Sequence, residues 1–242
     1  MGNIQDILAL IGLADKYDSL PVVSRAIRLY LMELGNDPCE LFRQIAKNPV
    51  EYLYIGEKTR SAIVTKEASV HILGTWSETA APCQELVSAH LYESLSQIHR
   101  TLCQKKERAN KMLLSLNYDS PIPLDLTNIL EAEAALLIIR ENISKAFYNC
   151  MRQDAPEKFE GVLYRDIVKS TKIDEPALNF PQRSYSRVSF EEGCTILDQK
   201  IQSAVGDLAD NSSNLRSTDL GAGYLLCTML SDADLTWNEE WE

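Results

Sequence analysis

Residues 4–34 read IQDILALIGLADKYDSLPVVSRAIRLYLMEL. Ile4, Ile7, Leu8, Ile11 and Tyr17 recur at the spacing of an α-helix, with Asn3 placed to cap it. Ser19-Leu20-Pro21 then breaks the pattern, and Pro21 fits the first turn of a second helix, where its missing N–H removes no bond. Val23, Ile27, Tyr30 and Leu34 repeat helically until Gly35-Asn36. Both helices are apolar on more than one face, so they require partners. The stretch therefore predicts an all-α protein, built as an irregular helical bundle.

The downstream pattern supplies those partners. Asp37-Pro38-Cys39-Glu40 predicts a capped short helix running to about Lys47. Pro49 opens another through Tyr52, Leu53 and Ile55, which Gly56 is expected to end. A third starts near Thr59, carries Ile63, Val64, Ala68, His71 and Leu73, and closes at Gly74. Two long helices are expected next. In one, over about 82–116, Leu91, Leu95, Ile98, Leu102, Ala109, Met112 and Leu116 form a seam, with Lys105 as its one interruption. In the other, over about 127–152, Ile129, Ala132, Leu136, Ile139, Ile143, Ala146 and Cys150 do the same, widened by Leu130, Leu137 and Ile138. The breaker at residues 117–123, with Pro121 and Pro123, predicts a long antiparallel helical hairpin. A helix beyond Asp154-Ala155-Pro156-Glu157, a polar loop over 172–188, a helix over about 189–208 and a short apolar piece at Tyr224, Leu225, Leu226 and Met229 complete the reading.

The 242 residues are enough for one large or two small domains, at 45% hydrophobic and 24% charged. A formal net charge of -11 disfavours nucleic acid and anionic lipid as partners. No stretch approaches the roughly 20 apolar residues of a membrane span. The N-terminus has neither the charged n-region nor the cleavage site of a secretory signal. Six scattered cysteines are expected to be reduced and mostly packed, which fits an intracellular protein, cytoplasmic or nuclear.

Motifs for chemistry are sparse. His99 and Cys103 have a legal zinc spacing, but no CxxC or HxxxH accompanies them. Cys83, on the same predicted helix, lies roughly 30 Å from Cys103 at 1.5 Å per residue. No metal or cofactor is expected. No nucleophile elbow is present, and Gly221-Ala222-Gly223 reads as a hinge rather than a phosphate cradle. Glu67 and His71, four apart, can pair, and a histidine held at a helix–helix contact is the favoured reading of that pair. Lys105, Lys106, Arg108 and Lys111 read as a solvated helix face, and the acidic end from Asp232 to Glu242 as a solvated tail. Trp237 and Trp241 need cover, either on the protein's own surface or in a partner's groove.

Ala14-Asp15-Lys16-Tyr17-Asp18, with Leu20 and residues 26–31, resembles the last helical pair of BTB/POZ domains in the form common among fungal BTB proteins. Tyr52-Leu53, Gly56, Arg60-Ser61 and Glu67-Ala68-Ser69-Val70-His71-Ile72-Leu73-Gly74 are similar to the region just after the domain in that group. Tyr224-Leu225-Leu226-Cys227 and Asp234-Leu235-Thr236-Trp237-Asn238 are similar to its C-terminus. The resemblance implies terminal BTB-like helices over 1–35, a BACK-like short-helix segment over 36–78, a long hairpin with a following helix over 79–170, and a loop, last helix and tail over 171–242. It also implies a non-enzymatic interaction scaffold, in its intact form an adaptor to a cullin-type ubiquitin ligase scaffold, or a self-associating one. The strand-rich half of a BTB domain would precede Ile4, and a chain opening on an apolar helix is expected of a fragment or of a product lacking that half. Lys16, Tyr17 and Tyr30 near that half, and Trp237 and Trp241 in the tail, are the candidate partner contacts. Two other readings stay open. One is a ligand-binding or enzymatic domain with a pocket near His71. The other is a truncated product without independent function, whose bare apolar faces predict self-association or poor solubility.

Overall fold

A computed structural model describes residues 4–33, 38–117, 126–170, 187–215, 222–235 and 237. The expected cap at Asp37, the breaker at 118–123, most of the loop over 172–188, Gly221 and Trp241 lie outside them. The protein is an all-α helical bundle: ten α-helices and no strand among the described residues, with one isolated parallel bridge between Asn211 and Leu226. It divides into two compact units, Met1–Leu102 together with Asn211–Glu242, and Cys103–Asp210.

The first unit holds α1 (Ile4–Lys16), α2 (Leu20–Glu33), α3 (Pro38–Lys47), α4 (Pro49–Lys58), α5 (Ala62–Gly74), α6 (Trp76–Leu86) and the start of α7 (Ala89–Leu114). The break after α1 is a left-handed cap. Asp18 has φ 53°, and the N–H of Ser19 reaches back 2.8 Å to the carbonyl of Ala14. The same device ends α4: Arg60 has φ 53°, and the N–H of Ser61 donates to the carbonyl of Gly56 at 2.8 Å. Gly56 therefore does not stop α4, which runs to Lys58. Its lack of a side chain serves packing instead, because a Cβ there would collide with Thr65 of α5, backbone and side chain. α4 and α5 can lie close only through that gap.

α5 is the axis of this unit. Val64, Thr65, Glu67, Ala68, Ser69, Val70, His71, Ile72 and Leu73 are all buried, so the helix is enclosed on every side. α3, α4 and α6 pack on it. The core around it gathers Ile11 and Leu31 of the first two helices, Ile45, Leu53, Ile55, Leu91 and Leu95, and also Leu230 and Leu235 from the far end of the chain.

The second unit contains the end of α7, α8 (Leu126–Met151), α9 (Glu160–Ser170) and α10 (Arg187–Ala209). α8, α9 and α10 pack on one another, filling the unit with Ile139, Ile143, Leu163, Ile167, Leu197, Ile201 and Val205. The two long helices expected from the seams are α7 and α8, 26 residues each. The first begins later than the pattern suggests. Residues 76–86 form α6, with Pro82 inside it, and the chain turns at Val87 and Ser88. There the Glu57 carboxylate accepts the N–H of Ser88, and the Ser88 hydroxyl accepts the N–H of Leu91 at 3.3 Å, restarting the helix. On α7 the buried position near the end is Leu113, while Met112 faces water, and on α8 Leu137 is exposed although it belongs to the apolar run.

Candidate functional site

The stripe Glu67, Val70, His71, Gly74 follows the i, i+3, i+4, i+7 spacing that puts residues on one face of a helix. On α5 that face is covered by the chain's own C-terminal segment. Val70 meets Ala222, Tyr224 and Leu226. At Gly74 the segment comes so close that a Cβ would strike the Leu225 carbonyl and the Tyr224 ring. The parallel bridge at Asn211, with the N–H of Ser212 donating to the carbonyl of Leu226 at 2.7 Å, ties the two passes of the segment together.

The polar part of the stripe is a closed centre. Glu67 and His71 are 1% and 0% exposed. The Ser213 hydroxyl donates to Glu67 Oε1 at 2.5 Å, and Asn214 donates to Oε2 twice, from its backbone N–H at 2.9 Å and from Nδ2 at 2.6 Å. His71 Nδ1 lies 2.8 Å from the Tyr224 hydroxyl, and the two rings meet edge to face. His71 Nε2 sits 3.3 Å from Glu67 Oε1, near enough for attraction but not aligned for a hydrogen bond. A carboxylate only accepts, so the arrangement without repulsion puts a proton on Nε2, facing Glu67, and leaves Nδ1 to the Tyr224 hydroxyl.

Burial pushes the Glu67 carboxyl up, but the facing His71 ring and the donors of Ser213 and Asn214 outweigh it and hold the group below its ordinary 4.5. Burial, reinforced by the nearby Glu67 charge, pushes the Tyr224 phenol up to about 12. At neutral pH the carboxylate is therefore charged and the phenol protonated. Outside this centre the Ser69 hydroxyl accepts the Leu230 N–H at 3.0 Å, and Lys66 pairs with Asp232 at 2.7 Å. Carboxylate, imidazole and phenol thus form a relay in outline. Both sides of the imidazole are taken up inside the protein, so the arrangement acts as a latch for the segment.

The expected pairing of Glu67 with His71 is present as this contact, at a helix–segment junction rather than a helix–helix one. Ser213, Asn214 and Tyr224, its other members, carry no signal in their local sequence beyond polarity and proximity to turns. His99 is stacked on Trp76 at 4.8 Å and Cys103 is exposed; no group of metal-ligating side chains occurs among the described residues. None of the six cysteines is in a disulfide, and burial pushes the Cys83 thiol up to about 12. Within the basic stretch, Lys106 pairs with Glu160 at 2.5 Å and Lys111 with Glu107 at 2.7 Å.

The candidate contact residues separate. Lys16 is exposed and Tyr17 is 71% exposed at the end of α1. Tyr30 is partly buried against the core of the first unit, and so is Trp237. α1 also exposes Leu10 and Leu13, and α2 exposes Val22 (79%), Leu29 and Met32, so that with Tyr17 six large apolar side chains are exposed between residues 10 and 32. Leu13 and Val22 lie off the seams read from the sequence, and spacing alone does not tell which of two apolar faces is left bare.

Compared with protein-family models, with curated proteins and with solved structures, the chain matches none.

Proposed function

We propose that this chain is a non-enzymatic, intracellular protein-interaction scaffold, cytoplasmic or nuclear, that works as the post-BTB part of a BTB adaptor does and docks a protein through the α1–α2 surface. The observation that carries the proposal is the exposure of Leu10, Leu13, Tyr17, Val22, Leu29 and Met32 together. Scattered apolar residues are normal on a surface, but large groups of them mark docking sites. The latch supports the same reading, because the most reactive-looking side chains, Glu67 and His71, are spent on holding the chain to itself. No helix among the described residues is long and apolar enough to cross a membrane.

Sedimentation of the purified chain, alone and with a purified cullin N-terminal region, tests the proposal. Self-association or a complex is expected in at least one arm, and the double substitution Leu13→Asp, Val22→Asp abolishes it. A monomer in both arms contradicts the proposal. A large, reproducible thermal shift with a metal or a metabolite, lost in His71→Ala, would replace it with a ligand-binding function.

A further inference from the structure

We propose that Ser231 is a phosphoacceptor for an acidophilic serine kinase, and that its phosphorylation loosens the outer end of the C-terminal segment. The proposal is independent of what the α1–α2 surface binds. Three observations meet at this residue. Ser231 is exposed, and carboxylates stand one and three residues beyond it, at Asp232 and Asp234, the positions an acidophilic kinase reads with basic side chains. Ser231, Asp232 and Ala233 are all exposed and Asp234 is half-buried, so the acceptor hydroxyl and the carboxylate beside it face solvent. The turn is flanked by two anchors, Leu230 and Leu235, which are 0% and 8% exposed and lie in the core of the first unit. A charge added at Ser231 is therefore placed directly beside the groups that hold the segment down.

The hydroxyl has a defined task in the unmodified protein. Ser231 donates to Asp234 Oδ2 twice, from Oγ at 2.5 Å and from its backbone N–H at 2.8 Å, closing the 3-10 turn Asp232–Asp234. The reaction moves the γ-phosphoryl of ATP to Ser231 Oγ. The bond from the γ-phosphorus to the bridging β,γ-oxygen breaks, ADP leaves, a new P–O bond forms, and the hydroxyl proton passes to the kinase base. The product has no Oγ proton to donate and carries a charge of about -2 against a carboxylate it formerly bonded. Lys66, now paired with Asp232, is the neighbouring cation for which the phosphate competes. Either way the turn loses the bond from Ser231 Oγ, and Leu235 and Trp237 are then held by their own packing and by the turn's remaining backbone bonds.

The test uses the full chain, ATP–Mg and a purified casein-kinase-class enzyme, with the free peptide of residues 225–240 as substrate control. Fragment mass spectra are expected to place one phosphate on Ser231. Asp234→Asn is expected to slow the transfer, and Ser231→Ala to remove it from that position. Chymotrypsin should then cut after Leu235 or Trp237 roughly tenfold faster in the phosphorylated chain than in the same chain untreated, the effect of losing one charge-assisted bond. Phosphorylation of the peptide but not of the chain overturns the proposal. So does a phosphorylated chain cut at an unchanged or slower rate, because Lys66 would then be holding the phosphate and tightening the segment.

Discussion

Glu67 is the residue on which the first unit's closure turns. Its carboxylate is buried and satisfied by Ser213 and Asn214. Glu67→Ala leaves the donors of Ser213 and Asn214 without their acceptor and His71 Nε2 without the charge it faces, and is expected to cost about 3 kcal/mol in denaturant unfolding, in the range for breaking a buried charged group's bonds. Glu67→Gln keeps the shape and is expected to cost less. The pH dependence has a definite sign. A carboxyl held below its ordinary 4.5 stabilises fully above that value and loses the contribution as pH falls through its lower folded value. The wild-type chain should therefore lose stability below about pH 4.5 more steeply than Glu67→Gln, read from melting temperature against pH; parallel curves would refute this. Asp18 is a second telling residue. A left-handed conformation is strained for any residue with a Cβ, so Asp18→Gly should raise stability by about 0.5–1 kcal/mol, measured by urea unfolding.

At the scale of elements, α5 and the C-terminal segment behave as one piece. Leu226 is wholly buried against Val70, and Leu226→Ala is expected to cost about 3 kcal/mol, in the middle of the range for such truncations. Circular dichroism melting would show it as a loss of the first unit's helices, although the substitution lies outside every helix. The helices themselves were legible. Ile7, Ile11 and Ile27 stand on buried faces as their spacing predicts, while the deeply buried position late in α2 is Leu31 rather than Tyr30, and Pro21, Pro38 and Pro49 sit in first turns. Ends were less legible. Gly56 reads as a stop but serves close packing, and the stop belongs to Arg60, whose left-handed backbone has no signature in an arginine. Residues 76–86 read as loop and helix start because Pro82 disguised α6. The Glu67–His71 pair was legible from spacing. Its partners were not, since Ser213, Asn214 and Tyr224 lie about 150 residues away and only the fold brings them in.

For the whole molecule, the consequence is a division of labour between inside and outside. The first unit is closed by a segment from the far end of the chain, while Cys103–Asp210 forms the second unit between them in sequence. Hydrophobic burial and one polar latch account for that closure, and neither requires the α1–α2 surface. That surface keeps Leu13, Tyr17 and Val22 in water at a cost to solubility which a docked protein would remove. A photo-crosslinking amino acid at Val22, in the full chain expressed in cells, tests this most directly. The account predicts one discrete protein adduct, to a second copy or to another protein, that Leu13→Asp abolishes without lowering the melting temperature. Val22 adducts that are absent, or that persist unchanged with Leu13→Asp, would contradict it.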